Sequence, residues 1–584
     1  MPSAWRLQCT CGQAAGKGRR AEGRAKKQLA AAHQTEPTFR TSPHSVTLTY
    51  AASIRRRESA GETPRTRVLR VLFNSYPFLL LFLPAALAGY FLLGRIRITW
   101  GAGWLALASL AFYAWWDPRY VPLLLGSIVF NYLAGRAIGR AQGIRPARAK
   151  WLLALAIAAN LGLLGYFKYA DFFIASVNSA AGTNFGLLRI VLPLGISFFT
   201  FTQIAFLADA YGGLAKDYRF VHYVLFVTYF PHLIAGPILH HREMIPQFDD
   251  PAAYRPQREN FEVGLTIFAI GLAKKVLIAD SLAPHAGAFF SAPGEPGLLV
   301  AWGGVLAYAF QLYFDFSGYS DMAIGLSRLF GIQLPINFNS PYKAHNITEF
   351  WRRWHMTLSR FLRDYLYIAL GGNRKGPARR YFNLMATMVL GGLWHGAGWT
   401  FVIWGALHGL YLAVNHAWLE VKSHLPLPRW PSMGRAIGIF TTFIAVCIAW
   451  VYFRAPDVGT AHQVLRGMFG THGIGLPAAI GERLGTLRPL LESLGVQFFL
   501  GGGARFAETY AWVALAAVIA FNFPNTQEIM RNYKPGLGAA SGAVADRTRF
   551  AWRPTSRWAT AIGVLAAACL IALDRPAEFL YFQF

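Results

Sequence analysis

The sequence predicts an all-α, polytopic integral membrane protein, a bundle of roughly 11–14 transmembrane or re-entrant helices. Three observations support this class. The 584 residues are 54% hydrophobic and only 14% charged, whereas a soluble domain is about 25% charged. Apolar stretches recur along most of the chain, and many are long enough to cross a hydrocarbon core of about 30 Å. The basic residues lie mostly in short loops between these stretches, as in cytoplasmic loops of membrane proteins.

The net charge of +28 therefore indicates membrane topology and contact with membrane lipids, and we expect no nucleic-acid partner. The cysteines predict neither a disulfide framework nor a metal site. Cys447 and Cys569 stand singly in apolar runs, and Cys9 and Cys11 have no second pair that would complete a set of zinc ligands.

The chain divides into four regions. Residues 1–70 are rich in Arg, Lys, Ala, Ser and Thr without a sustained apolar period, so we predict a disordered basic extension. Residues 71–454 form the predicted membrane core, 455–509 an extramembrane segment, and 510–584 the C-terminal transmembrane helices. The abrupt change in composition at Val71 fits either a genuine surface tail or a translation start at position 71.

The first candidate spans set the topology. They cover about 76–94, 100–116, 119–135 and 151–168. The loops after the first and third spans carry the basic residues Arg95, Arg97, Arg136, Arg140, Arg145, Arg148 and Lys150. Alternate loops share one side of the membrane, so we expect both in the cytoplasm and the residues before Tyr76 outside. A basic tail is a poor segment to place outside, which favours the later start.

Ten further apolar segments follow, at about 184–210, 221–239, 260–280, 297–316, 318–334, 381–394, 398–418, 435–453, 510–523 and 556–574. Three regions contain breakers or charges, namely Pro193 and Gly195, then Pro231, Gly236 and Pro237, then Asp315, Gly318 and Asp321. Breaks at membrane depth are tolerated where protein or a water-filled cavity covers them. We therefore predict short or re-entrant helices around a polar interior, with separate helices on either side of residue 317.

We predict that the segment 348–365 forms one helix that lies in the membrane interface, with Thr348 as its N-cap. Apolar residues fall on one face of this helix, at 347, 350, 351, 354, 358, 361 and 362. Arginines occupy much of the remaining surface, at Arg352, Arg353, Arg360 and Arg363. His355 follows Trp351 by four residues, so we expect its imidazole to point inward.

A basic, glycine-rich loop comes next, with Gly371-Gly372-Asn373-Arg374-Lys375-Gly376 followed by Arg379 and Arg380. Such a loop suits the phosphates of a nucleotide-bearing donor such as coenzyme A. The same composition also fits an ordinary cytoplasmic loop, which is the more common origin of basic loops in membrane proteins. Both interpretations remain open at this point.

His395 ends a very apolar run, with no charged neighbour in sequence. A lone histidine on an apolar helix is usually structural, but Trp394, Gly396, Gly398 and Trp399 predict space for a ligand beside the ring. Burial lowers the pKa of a histidine and keeps it neutral, as a general base requires. His408 is a secondary candidate. No GxSxG, HExxH or P-loop pattern indicates a rival chemistry.

Many separate motifs give the chain from about Val71 onward a resemblance to the membrane-bound O-acyltransferases (MBOAT), in particular their bacterial alginate O-acetyltransferase branch. These motifs are LFNSYPFLLLFLP (72–84), FFTFTQIAFLADAY (198–211), YFPHLIAGPI (229–238), QLYFDFSGYSDMAIGLSRLFGI (311–332), NFNSPY (337–342), FWRRWHMTLSRFLRDYLYIALGGNR (350–374), GGLWHGAGWTFVIWGALHG (391–409), WVYFR (450–454) and FLYFQF (579–584). Residues 1–70 fall outside this resemblance.

The resemblance implies a helical bundle around a central tunnel, in which an acyl group passes from a cytoplasmic thioester to a hydroxyl acceptor. His395 matches the family's catalytic histidine, and His355 matches its second functional position. The implied donor is acetyl-CoA or another acyl thioester, with no bound cofactor. The implied acceptor is an exported polysaccharide, with a periplasmic SGNH-type acetyltransferase as partner and the bacterial inner membrane as location. The alternatives are D-alanyl transfer to a cell-envelope polymer and a non-catalytic transporter.

Overall fold

The computed structural model describes residues 73–215, 218–233, 236–291, 294–425, 431–538, 550–574 and 580. The predicted disordered extension, residues 1–70, lies outside these ranges, as do Cys9 and Cys11. Within them almost all regular structure is helical, and the prediction of an all-α, polytopic membrane protein is confirmed.

The N-terminal half contains twelve labelled α-helices in the described residues: α1 (Leu83–Ile96), α2 (Ile98–Trp116), α3 (Val121–Gln142), α4 (Pro146–Leu164), α5 (Ala170–Ala181), α6 (Ile196–Tyr211), α7 (Phe220–Thr228), α8 (Phe230–Leu233), α9 (His241–Asp249), α10 (Arg258–Ala273), α11 (Asp280–Ser291) and α12 (Leu298–Leu329). Wider π-helical turns precede α1 at Phe78–Phe82, join α4 to α5 at Gly165–Tyr169, and join α10 to α11 at Lys274–Ala279.

The C-terminal half continues with α13 (Ile347–Arg353), α14 (Met356–Phe361), α15 (Gly376–His395), α16 (Trp399–His424), α17 (Pro431–Arg454), α18 (Val458–Met468), β1 (Ile474–Pro477), α19 (Ala478–Arg483), α20 (Leu487–Ser493), β2 (Val496–Phe499), α21 (Gly503–Asn522), α22 (Thr526–Ile529) and α23 (Ser556–Ile571). The two strands pair in parallel, with Ile474 opposite Val496. They lie in the region between 455 and 509 that the sequence marks as less apolar.

Six helices in the described part of the chain are long and apolar enough to cross a membrane: Phe78–Ile96, Pro118–Gln142, Pro146–Ala181, Leu298–Leu329, Ser432–Arg454 and Gly503–Asn522. Helix α23 is apolar but shorter. The predicted breaks at Pro193 and Gly195 and at Pro231 and Gly236 are confirmed. The chain is not helical from Gly182 to Gly195, and α8 has only four residues.

Helix α12 corrects one prediction. It runs without interruption through Gly318, where the sequence predicts two separate helices. Its two aspartates are buried and paired: Asp315 Oδ1 lies 2.8 Å from Lys275 Nζ, and Asp321 Oδ2 lies 2.5 Å from Lys274 Nζ. Buried charges persist when an opposite charge compensates them, so these aspartates mark a helix contact and do not end a helix.

Glycines bring α10 and α12 close together. A β-carbon on Gly271 would lie 2.6 Å from the carbonyl oxygen of Gly318, and one on Gly325 would lie 2.6 Å from that of Gly264. Small residues permit this backbone approach between membrane helices. The two helices therefore pack closely, and the lysines of the π-helical turn after α10 reach the aspartates of α12.

Two large apolar clusters fill the bundle, one around α1, α2, α9 and α10 and one around α12, α15, α16 and α17. A smaller cluster lies where α6, α14 and α15 meet. It contains Phe198, Leu358, Phe361 and Trp394. The histidines selected from the sequence lie beside this smaller cluster and the second large one.

Candidate active site

His395 is the last residue of α15, and its helix packs closely against α16. A β-carbon on Gly392 would overlap the carbonyl oxygen of Phe401, and one on Gly405 would overlap that of Met388. The two helices therefore form a tight antiparallel hairpin that holds His395 near the turn between them. The ring of Phe401 occupies the position that a side chain at Gly396 would take, so glycine at this position permits close packing. The space for a ligand beside the His395 ring stays a prediction.

His355 lies at a break between two short helices, which corrects the prediction of one helix over 348–365. Helix α13 ends at Arg353, and His355 has φ +41° and ψ +54°, a left-handed conformation that non-glycine residues seldom adopt. The N-cap is Asn346 and not Thr348, since the Asn346 side chain accepts a hydrogen bond from the backbone N–H of Glu349 at 2.8 Å.

The predicted apolar face of this segment is nevertheless buried at every position, namely Ile347, Phe350, Trp351, Trp354, Leu358, Phe361 and Leu362. Arg352 and Arg363 are exposed. Arg353 pairs with Glu349, and Arg360 pairs with Glu243 through two hydrogen bonds of 2.6 and 2.8 Å. The expected inward position of His355 is confirmed, because its side chain is fully buried.

The structure brings the two predicted histidines together from segments forty residues apart in sequence. The ring centroids of His355 and His395 are 6.4 Å apart, and the Trp394 ring lies 6.3 Å from His355 and 4.8 Å from His395. A gap of this size allows one substrate to contact both imidazoles.

His408 lies one aromatic ring further away. Trp404 contacts both imidazoles, with ring centroids 5.1 Å from His395 and 4.7 Å from His408. His408 also packs against Phe350 and Trp351, and it is fully buried. This location favours a role in lining the site over direct contact with the reacting atoms.

Several buried nitrogen atoms around the histidines have no hydrogen-bond partner among the described protein atoms. They are Nε2 of His355, both ring nitrogens of His408, and the indole nitrogens of Trp351, Trp394 and Trp404. Buried polar groups in folded proteins are nearly always paired. Such a concentration of donors and acceptors in an aromatic lining is typical of a pocket for a polar substrate.

Lys168 and Tyr169, which the sequence motifs do not single out, hold the end of α15. Lys168 Nζ lies 2.5 Å from the carbonyl oxygen of Trp394 and 3.1 Å from that of His395, and Tyr169 donates to the carbonyl oxygen of Leu393 at 2.9 Å. A cation is favourable at a helix C-terminus. The available signal was a single lysine in an apolar span, which is usually functional or paired.

The four basic residues assigned to donor binding lie at the other end of α15. Gly371, Gly372 and Gly376 adopt φ values of +108°, +55° and +82°, so the turn depends on glycine. Arg374, Lys375 and Arg379 are exposed, and Arg380 is half-buried and donates a hydrogen bond to Tyr381 at 3.2 Å. A helix of 20 residues is about 30 Å long, so the structure does not place this loop beside His395.

No cluster of three or more His, Cys, Asp or Glu side chains suited to a metal ion occurs in the ranges that the structure describes. The two buried aspartates of α12 are engaged instead with lysines, in the pairs of Asp315 with Lys275 and Asp321 with Lys274.

Comparison with known proteins assigns the class. Residues 198–454, which contain all three candidate histidines, match the sequence model of MBOAT, the membrane-bound O-acyltransferase family. The chain is 46% identical over 439 residues to the peptidoglycan O-acetyltransferase of Helicobacter pylori, covering 70% of this chain and 82% of that protein. It is 45% identical over 407 residues to the probable alginate O-acetylase AlgI of Pseudomonas aeruginosa, covering 68% of this chain and 75% of that protein.

A more divergent relative is the teichoic acid D-alanyltransferase of Streptococcus thermophilus, 31% identical over 287 residues, with 44% of this chain and 68% of that protein covered. Together with the helical bundle, these matches define an integral membrane acyltransferase. The chain belongs to the membrane-bound O-acyltransferase family. The resemblance drawn from the sequence motifs is thereby confirmed. An acyltransferase is therefore a better interpretation of this chain than a non-catalytic transporter.

Proposed function

We propose that this enzyme transfers an acetyl group from a cytoplasmic acyl thioester toward hydroxyl groups of an exported polysaccharide, in the inner membrane of a bacterium. The observation that carries the proposal is the identity of about 45% with an alginate O-acetylase and a peptidoglycan O-acetyltransferase over more than two thirds of the chain. Both relatives are named for O-acetylation of a bacterial polysaccharide. Acetyl-CoA is the proposed donor, although any acyl thioester carries the same reactive group.

His395 is proposed as the general base. It removes the proton from the acceptor hydroxyl as the hydroxyl oxygen attacks the thioester carbonyl carbon. The C–S bond then breaks, and the departing thiolate takes the proton from the imidazolium. The aromatic rings of Trp404 and Phe453, 5.1 and 5.2 Å from the His395 ring, limit water near the reacting atoms, which suppresses hydrolysis of the thioester. His355 is proposed to orient one of the substrates.

D-alanyl transfer is the second candidate, and the match to a teichoic acid D-alanyltransferase supports it. The acetyltransferase relatives are more similar and match a larger share of the chain. Because both reactions move an acyl group from a thioester to a hydroxyl, the same histidines serve either one. A periplasmic SGNH-type acetyltransferase is the proposed partner that completes delivery of the acetyl group to the glycan.

The function is tested by measuring O-acetyl groups and ester-linked D-alanine on cell-surface glycans in cells with the gene, without it and with it restored. We expect the O-acetyl content to fall on deletion and to return on complementation. Loss of ester-linked D-alanine with unchanged O-acetylation supports the second candidate instead. No change in either ester contradicts both.

Neutralising the basic loop tests the proposed path of the donor. Replacing Arg374, Lys375, Arg379 and Arg380 with glutamine is expected to raise the KM for acetyl-CoA more than it lowers kcat, because phosphate contacts contribute uniform binding of the donor. Initial rates at varied donor concentration measure this. The matched control replaces Arg140, Arg145, Arg148 and Lys150, four exposed basic residues near the α3–α4 connection. An equal rise in KM in both variants, or none in the first, contradicts a donor site.

A further inference from the structure

Asn337 opens the NFNSPY segment and is fully buried beside His355. Its side-chain oxygen lies 3.1 Å from Nδ1 of His355, 2.9 Å from the hydroxyl oxygen of Thr357 and 3.3 Å from the backbone nitrogen of Thr357. Its amide is the only hydrogen-bond partner of the His355 ring among the described protein atoms.

The neighbours determine which way the amide of Asn337 faces. A backbone N–H can only donate, so the atom that faces the Thr357 nitrogen must be the amide oxygen. The backbone N–H of Ile238 donates to the Thr357 hydroxyl at 2.9 Å, which leaves the hydroxyl proton for Asn337. On its other side the amide nitrogen of Asn337 donates to the Ser320 hydroxyl at 3.3 Å.

This orientation determines the tautomer of His355. Because the amide oxygen of Asn337 can only accept, Nδ1 of His355 must carry a proton. In a neutral imidazole the proton is then absent from Nε2, which keeps its lone pair. Nε2 is buried and has no partner among the described protein atoms. It is therefore a free acceptor at the edge of the ring that faces away from Asn337.

The same segment also holds the backbone of His355. The N–H of Met356 donates to the carbonyl oxygen of Asn337 at 2.9 Å, and the N–H of Asn339 donates to that of Arg353 at 2.9 Å. These bonds flank His355 on both sides. A left-handed conformation at a histidine is costly and persists only where the surroundings enforce it, often at functional sites. Backbone and side chain are thus constrained by one segment.

We propose that Asn337 is a positioning residue that holds His355 with its proton on Nδ1, so that Nε2 receives a hydrogen bond from a hydroxyl of the acceptor other than the one that gives its proton to His395. The inference rests on the proposed function and refines it. Polarising the thioester carbonyl requires an N–H donor, and a neutral His355 in this tautomer has none free. His355 therefore recognises the acceptor, and the acyl donor is contacted by other groups.

The tautomer is measured directly by ¹⁵N solid-state NMR of the full-length enzyme in lipid, labelled with ¹⁵N-histidine, with the His355 signals identified by their loss in His355→Gly. We expect a protonated Nδ1 and an unprotonated Nε2 in the wild type. In Asn337→Leu we expect this preference to be lost. In Asn337→Asp it should be kept, because a carboxylate oxygen also accepts. A wild-type His355 with its proton on Nε2 overturns the inference, whatever the activity.

Kinetics separates positioning from a purely structural role. Asn337→Leu is expected to raise the KM for the acceptor about tenfold, the effect of one lost hydrogen bond in a buried site, with the donor KM little changed. Asn337→Asp should restore most of the acceptor affinity and shift the acid limb of the pH profile to higher pH, since a carboxylate stabilises the imidazolium. The matched control is Asn131→Leu, which removes a buried amide paired with Asn160 between α3 and α4.

The positioning role of Asn337 and the function of His355 are contradicted by different results. An equal rise in donor and acceptor KM in Asn337→Leu, matched by Asn131→Leu, overturns the positioning role. If NMR places the proton on Nδ1 but His355→Gly retains normal acyl transfer, the geometry stands and the proposed catalytic use of His355 is wrong. The first result therefore decides the role of Asn337, and the second decides the role of His355.

Discussion

Replacing His395 with alanine is expected to lower kcat about 10²–10⁴-fold, the usual loss when a general base is removed. The protein should still fold, because α15 does not depend on the imidazole for its position. Lys168 and Tyr169 hold the carbonyl oxygens at the end of the helix, and Gly392 packs against α16. Acyl transfer is measured with purified enzyme in lipid at saturating donor and acceptor.

Two further variants make this prediction specific. His424→Ala removes an exposed imidazole from the last turn of α16 and should leave turnover unchanged. His408→Ala should have an intermediate effect, since His408 contacts the site through Trp404. Turnover near the wild-type rate in folded His395→Ala protein would end the proposed mechanism, despite the family membership.

Removing the imidazole of His355 should also be severe, with residual turnover because an orienting group assists the reaction without taking the proton. The left-handed backbone at this position makes the choice of substitution important. His355→Ala keeps the backbone strain, whereas His355→Gly relieves it. Equal losses of kcat/KM in the two variants, with normal thermal stability in His355→Gly, would assign the loss to the imidazole. Full activity in His355→Gly contradicts a role for the ring.

The double variant tests whether the two histidines act on one transition state. Groups that act as a unit give strongly non-additive losses. We therefore expect the variant that lacks both imidazoles to be little worse than the worse single variant. Multiplication of the two single losses would instead indicate independent roles, and the ring separation of 6.4 Å would then have no catalytic meaning.

Local sequence patterns were sufficient to predict much of the fold and the candidate site. The burial of Ile347, Phe350, Trp351 and Trp354 follows from helical spacing alone, and the breaks near Gly195 and Gly236 follow from backbone chemistry. His355 and His395 were selectable because a polar residue in an apolar, tryptophan-rich segment is costly unless it is paired or functional. The family was recognisable because many short motifs occur in the expected order.

Other features depend on contacts with residues that are distant in sequence, and for these the sequence patterns gave wrong predictions. Asp315 and Asp321 resemble helix breakers until Lys275 and Lys274 are placed beside them. The interruption at His355 is also invisible in the periodicity, because the apolar face resumes after the break. It is imposed by hydrogen bonds from residues 337–339.

By itself, the sequence determined an all-α membrane bundle, its acyltransferase family and the two histidines most worth testing, since each depends on composition, spacing or motif order. The tertiary structure decided how these parts meet. It placed the imidazoles 6.4 Å apart, fixed the end of α15 with Lys168, and oriented His355 through Asn337. These relations join segments that are far apart in the chain, and hydrogen-bond geometry between such segments is set only when the helices pack.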